Sequence, residues 1–183
     1  MTNKGIQQLN GDIAAFLSYL RNERQLSPHT IKAYQRDLSK LLRFCLAKSD
    51  PPITSWPQLK PHMVRTFIAE QHGSGLSAKS LQRCLSSIRS FYSFLSRELL
   101  VKQSPAKGVS SPKGDSRLPA TLDTDQVAQL LNFRASGWHA CRDKAMMELF
   151  YSSGLRLAEL VRLDVMDIDQ ADASLTATGK GNK

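Results

Sequence analysis

Arg156 and Glu159 stand three residues apart in the stretch Gly154-Leu155-Arg156-Leu157-Ala158-Glu159-Leu160, and Lys180 stands between Gly179 and Gly181 in the last residues of the 183-residue sequence. A guanidinium holds paired donors in a fixed fork and keeps its charge at any working pH. It therefore suits the negative charge that gathers on a phosphate in a pentacovalent transition state. A lysine between glycines has a backbone free to swing, and its ammonium can give a hydrogen bond or a proton. Each residue also has a plainer reading: Arg156 as a surface cation paired with Glu159 at i+3, Lys180 as a turn lysine. A nucleotide-binding P-loop is excluded, because no glycine stands five residues before Gly179 and Gly181, not Ser or Thr, follows Lys180.

Helices must position these groups. Ile6, Leu9, Ile13, Phe16, Leu17 and Leu20 recur at helical spacing, predicting a first amphipathic helix that ends near Arg24. Ser27 is placed as N-cap and Pro28 as the first residue of a second helix, with Ile31, Tyr34, Leu38, Leu41, Leu42 and Cys45 as its apolar stripe. Lys32, Arg36, Lys40 and Arg43 line the opposite face of that helix. Trp56 and Leu59 are expected to pin the following loop. A third helix then starts at about Pro61 and uses Met63, Val64, Phe67 and Ile68 before Gly73 stops it. Ser77 caps a fourth, whose stripe is Leu81, Leu85, Ile88, Phe91, Tyr92 and Leu95 and whose other face carries Lys79, Arg83, Ser86, Ser90 and Arg97. Cations with small hydroxyls between them let a helix approach a nucleic-acid backbone, since Ser has little bulk and donates to phosphate.

Residues 103–117 are rich in Pro, Gly and Ser and read as a linker, either a basic strap along nucleic acid or a plain tether. Beyond it, Asp123 and Gln126 form a capping-box pattern, with Val127, Leu130 and Leu131 as expected core. A helix over 142–153 places Ala145, Met146, Leu149 and Phe150 on one side, and Gly154 turns the chain into a short helix holding Arg156 and Glu159. Val165–Asp169 and Leu175–Thr178 are expected strands, the second running into the tip that holds Lys180, with the return strand of that hairpin lying beyond residue 183. The expected architecture is mainly α: a four-helix bundle over 1–102, the linker, and from 118 the start of a mixed α+β domain with a β-hairpin.

Charge is unevenly divided. Residues 1–117 hold 18 Lys and Arg against 7 Asp and Glu, net +11, while residues 118–183 hold 7 against 9, net −2. A basic segment of that size points to a polyanion, because each phosphate neutralised releases condensed counterions. Lys32, Arg36, Lys40, Arg43, Lys79, Arg83 and Arg97 are the expected DNA contacts. No apolar run is long enough to span a bilayer and no signal-peptide block opens the chain, so a cytoplasmic protein with no membrane partner is expected. Cys45, Cys84 and Cys141 are far apart with no metal-ligand spacing, which predicts buried reduced thiols and no metal.

In linear order, Leu26-Ser27-Pro28-His29-Thr30, the Ser77 helix ending Phe91-Tyr92-Ser93-Phe94-Leu95, the linker Ser104-Pro105-Ala106-Lys107-Gly108-Val109, Leu118-Pro119, the Gly154–Leu160 turn and Gly179-Lys180-Gly181 resemble the tyrosine site-specific recombinases over the whole chain. Within that family the entry Glu23-Arg24-Gln25-Leu26-Ser27-Pro28 and the linker through Lys113 look most like the branch that resolves bacterial chromosome dimers. The resemblance implies an N-terminal SAM-like core-binding domain that clamps double-stranded DNA, followed by the beginning of a catalytic domain. It implies Arg156 as the first catalytic arginine, Lys180 as the hairpin lysine that protonates the leaving 5′ oxygen, and Glu159 as support. It further implies cleavage through a 3′-phosphotyrosyl bond without cofactor or metal, since the covalent intermediate keeps the phosphodiester energy. A XerD-type recombinase in a heterotetramer and an FtsK-type translocase follow as partners. The family's later His-x-x-Arg pair, its second His or Trp and its tyrosine nucleophile are expected beyond residue 183, so these residues alone are expected to bind DNA without cleaving it. The alternatives are a stand-alone DNA-binding protein without catalysis and an integrase of a phage or mobile element.

Overall fold

The computed structural model describes residues 3–48, 51–98, 100–111, 114 and 120–179. They divide into two compact units, Met1–Ser116 and Arg117–Lys183.

The first unit is built by four helices, α1 (Asn3–Asn22), α2 (Pro28–Lys48), α3 (Pro61–Gly73) and α4 (Ala78–Arg97). The stripes expected from spacing face inward: Leu9, Phe16, Leu38, Leu41, Val64, Phe67, Leu81, Ile88, Phe91 and Leu95 are fully buried. Tyr34 and Met63 are partly buried against the same core. Helix α1 closes with the Leu26 amide donating to the Leu20 carbonyl, and Gln25 takes the left-handed conformation, φ 47°, that this reversal needs. The chain restarts two residues later, where Ser27 Oγ accepts from the Thr30 amide and Pro28 opens α2. A single turn of 3-10 helix, Trp56–Gln58, sets Trp56 into the core, and the Tyr92 hydroxyl donates to its carbonyl at 2.8 Å. Ser77 caps α4 by accepting from the Ser80 amide. Aromatic rings fill the centre: Phe91 lies 4.9 Å from Trp56, edge to face, and 5.3 Å from Phe16.

Part of the expected linker is docked on this bundle. Val101, Ala106 and Val109 are buried in its core, and Arg89 of α4 donates to the carbonyls of both Ala106 and Val109. Residues 101–109 therefore pack with the first unit. The reason is that three small apolar side chains among polar neighbours suffice once an arginine satisfies the adjoining carbonyls.

The second unit holds α5 (Thr124–Leu131), α6 (Trp138–Ser153), α7 (Leu157–Leu160), a 3-10 turn Val165–Asp167 and the strands β1 (Ile168–Asp169) and β2 (Ser174–Leu175). The Asp123 capping box forms, with the Gln126 amide donating to Asp123 Oδ1 at 2.8 Å and the Asp123 amide to Gln126 Oε1 at 3.0 Å. The strands pair antiparallel, Ile168 opposite Leu175. The second strand covers Ser174–Leu175 instead of the expected Leu175–Thr178, because its partner β1 is only two residues long. Val165–Asp167 is a 3-10 turn instead of strand, because Asp164 and Asp167 cap it reciprocally. Leu130, expected in the core, is exposed, Val127 and Leu131 are half-buried, and Leu160 is the one described apolar side chain of this unit that is buried.

Cys45 and Cys84 are buried, and loss of solvation pushes both thiols up to about 12, so they are neutral apolar fillers. Cys141 is exposed, contrary to its expected burial; α6 is the helix whose apolar residues lie on every side, so periodicity does not define its inner face.

Candidate nucleic-acid interface and phosphate site

In the first unit α2 and α4 pack against each other. Lys32, Arg36, Arg43 and Lys79 are exposed and Lys40 is half-buried. Among the described residues none of these five has a carboxylate within ion-pair distance, since the ion pairs are Lys48–Glu70, Arg83–Asp37, Arg142–Asp143 and Arg156–Glu159. Their charge is available to an anion from outside. Lys40 and Arg43 also line a shallow groove with Phe44, Lys48 and Gln71 at the α2–α3 junction.

The two remaining arginines are engaged. Arg83 makes a bidentate pair with Asp37, Nε to Oδ2 at 3.0 Å and Nη2 to Oδ1 at 3.1 Å, which bridges α4 to α2. Donation of these hydrogen bonds to Asp37 raises the guanidinium pKa above its already high value. Arg97 lies over the Tyr19 ring, 5.0 Å from its centroid, and donates to the Tyr19 hydroxyl. Asp37 was not among the expected site residues. Its signal was available: a carboxylate falls between Tyr34 and Leu41 in the apolar stripe of α2, and such a position demands a cationic partner.

In the second unit Gly154, φ 63°, ends α6 in the left-handed conformation, and its amide donates to the Phe150 carbonyl. Arg156 then sits at the start of α7 in extended conformation and Glu159 reaches back to it. Glu159 Oε2 accepts from the Arg156 amide at 2.8 Å and Oε1 from Nη1 at 2.7 Å. One carboxylate thus closes the turn and steadies the guanidinium, whose side chain remains 74% exposed while that of Glu159 is 13% exposed. Lys180, the second expected cation, lies outside the described residues, as do Leu118, Pro119 and Lys113.

The Glu159 carboxyl is held below its ordinary value of 4.5, first by the Arg156 amide and then by the Arg156 guanidinium. A lowered folded pKa means that the contribution of this turn is complete above the ordinary glutamate value. It disappears as pH falls through the lowered value. Carbon-detected NMR titration of the Glu159 carboxyl is expected to give a midpoint below 4.5, and Arg156→Ala to return it only part of the way because the backbone donor stays. A midpoint at 4.5 in the unmodified chain would show that the turn does not form in solution.

A sequence profile described as the phage integrase N-terminal SAM-like domain matches residues 13–99, and one described as the phage integrase family matches residues 120–183. The chain belongs to the tyrosine recombinases of the phage integrase family. Tyrosine recombinase XerC of Pseudomonas syringae pv. tomato is 49% identical over 170 residues, covering 92% of this chain and 56% of the relative. XerC of Stutzerimonas stutzeri is 47% identical over 176 residues, covering 96% and 58%. The chain therefore spans a little over half the length of the curated recombinases it matches. Among solved structures, XerH recombinase bound to difH substrate matches all of this chain and 64% of its own with TM-score 0.69 at 15% identity. The Tn1549 transposon integrase bound to circular intermediate DNA covers 87% of this chain and 51% of its own with TM-score 0.66 at 16% identity. These two likenesses establish the fold.

For a recombinase the tyrosines carry interest. Tyr92 is buried with its hydroxyl given to Trp56 and its pKa pushed up by burial, and Tyr19 carries Arg97. Tyr34 packs beside Phe16 in the bundle, and Tyr151 is exposed on the last turn of α6. The His-x-x-Arg spacing occurs at His62–Arg65 on α3 and His139–Arg142 on α6, in both cases before Arg156 in the chain, and Arg142 is spent on Asp143. Among the described residues no three His, Cys, Asp or Glu side chains converge to hold a metal, and no helix is long and apolar enough to cross a membrane.

Proposed function

We propose that these residues form the DNA clamp and the first part of the active site of a XerC-type recombinase, which resolves chromosome and plasmid dimers at cell division in the cytoplasm. The support is the identity of nearly half the residues to XerC proteins over more than nine-tenths of the chain, joined to unpaired cations on α2 and α4. In this reading Lys32, Arg36, Lys40, Arg43 and Lys79 neutralise phosphates, Arg83 and Arg97 add contacts, and α2 and α4 are the elements that meet duplex DNA. Arg156 takes the non-bridging oxygens of the scissile phosphate, and Glu159 fixes the angle from which it does so. Lys180 gives its proton to the leaving 5′ oxygen as a tyrosine takes the phosphorus, so that the 3′-phosphotyrosyl bond conserves the energy for rejoining. A XerD-type recombinase supplies the other half of a heterotetramer, and an FtsK-type translocase acts on the assembly. Residues 1–183 are read as a segment that binds DNA without cutting it, in which Tyr19, Tyr34 and Tyr92 belong to the helical bundle and Tyr151 to α6, none of them serving as the nucleophile.

A salt titration of binding to a duplex of about 30 base pairs carrying a chromosome-dimer-resolution half-site tests the clamp. A slope of log affinity against log salt of about −4 to −6 is expected, reduced by roughly one for each of Lys32→Ala and Lys79→Ala. A slope flatter than about −2, or lysine variants that leave it unchanged, would return the basic faces to solvated surface.

A further inference from the structure

The exposed lysines of α2 and α4 are mobile point charges, but Arg83 is built differently. Its guanidinium is gripped through Nε and Nη2 by a carboxylate that is itself 2% exposed, while the arginine side chain stays 41% exposed. A guanidinium has five N–H donors. Two are spent on Asp37, which leaves three on Nη1 and Nη2, and the outer edge between those nitrogens presents two parallel donors. That edge is the complement of guanine O6 and N7 in the major groove, the commonest base-specific arginine contact. Around it, Lys79 stands one turn earlier on α4, and Arg36 and Lys40 flank Asp37 on α2, all without carboxylate partners among the described residues. A fixed fork between free cations is the arrangement in which the cations take phosphates and the fork takes a base.

We propose that Asp37 is a positioning residue for DNA recognition, holding Arg83 so that its free Nη1–Nη2 edge reads a guanine. The proposal rests on the DNA-binding reading above. A buried ion pair is weak ground for a stabilising role, since well-packed apolar residues would serve stability as well or better. A buttressed guanidinium, in contrast, has its orientation set before DNA arrives, and selectivity between bases depends on that orientation.

The test is selection of duplexes from a randomised pool by the 183-residue chain, by Asp37→Asn and by Arg83→Lys, with salt slopes measured on the enriched sequences. The unmodified chain is expected to enrich guanine at one position by about 10-fold or more. Both variants should reduce that enrichment below about threefold while keeping the other enriched positions, and Arg83→Lys, which keeps the charge, should change the salt slope by less than about one. A structural role alone would lower affinity for all duplexes alike and leave the guanine enriched. Guanine enrichment that survives both variants, or selection by the unmodified chain with no such guanine, overturns the proposal while the clamp stands. Failure of the unmodified chain to bind any duplex overturns both. Should Asp37→Asn lose its cooperative melt, Arg83→Lys, in which Asp37 keeps a cationic partner, decides alone.

Discussion

Phe91→Ala is expected to lower the stability of the helical bundle by about 3–5 kcal/mol. The ring is fully buried and meets Trp56, Phe16 and Tyr92 with centroids at 4.9, 5.3 and 5.7 Å. Truncation removes the transfer free energy of the six ring carbons and leaves a void whose walls are aromatic rings. Those rings are held from behind, Tyr92 by its hydrogen bond to the Trp56 carbonyl and Trp56 by the turn capped with Gln58. They cannot collapse into the void without breaking those contacts, so the upper part of the range applies. Domains of this size have about 5–15 kcal/mol in total, and the variant is accordingly near the limit of folding at 37 °C. Urea unfolding followed by the blue-shifted emission of Trp56 measures it, because Trp138 is 70% exposed and already emits from water. Leu130→Ala, at a side chain 52% exposed, is the control and should move the transition by less than about 0.5 kcal/mol. A loss below about 1.5 kcal/mol for Phe91→Ala would show that the aromatic cluster repacks freely.

The contrast between those two positions also marks where sequence reasoning succeeds. In α1, α2 and α4 the apolar stripe and the polar stripe are cleanly separated, and α2 and α4 each start on a chemical signal, Ser27 before Pro28 and Ser77 before Ser80. The period then determines which side is inside, because four such helices have only each other to cover their stripes. The same signals placed Asp123, Gly154 and the Arg156–Glu159 pair correctly. Local hydrogen bonds decide those features, and local sequence contains them. What periodicity does not contain is whether anything lies against a face. Leu130 and Leu131 mark an apolar side of α5, yet Leu130 is exposed. Nor does it contain pairing at a distance: Arg83 and Lys79 are equivalent on the α4 helical face, and only the meeting of α2 with α4 gives one of them a buried carboxylate 46 residues away in the chain. Residues 101–109 were hidden for a related reason, since a Pro, Gly and Ser composition describes a segment without regular structure and says nothing of what it rests on.

Trypsin is expected to cut after Arg134, Arg142, Arg156 and Arg162 at least about 100-fold faster than it cuts within α2 or α4. Both units offer exposed targets, Lys32, Arg36, Arg43 and Lys79 in the first, Arg134, Arg142, Arg156 and Arg162 in the second. Accessibility of the side chain is therefore not what separates them. Proteases need an opened backbone, and cleavage inside a helix follows the free energy of local or global unfolding. Opening α2 exposes Ile31, Leu38, Leu41, Leu42 and Cys45, each at most 6% exposed, so it costs nearly the whole stability of the bundle. Opening α6 or α7 exposes little that is not exposed already. Trp138, Tyr151, Leu157 and Val161 stand 58–70% exposed, and Val165 and Met166 beyond them 80% and 95%. A 100-fold ratio requires only about 2.7 kcal/mol of difference in opening, well within the gap between a bundle with a full core and helices with one buried leucine. Mass spectrometry of timed digests reads the order of cuts directly. Equal rates in the two units would mean that the apolar side chains of α5–α7 are covered in solution, and sedimentation of the same sample would then show whether a second copy covers them.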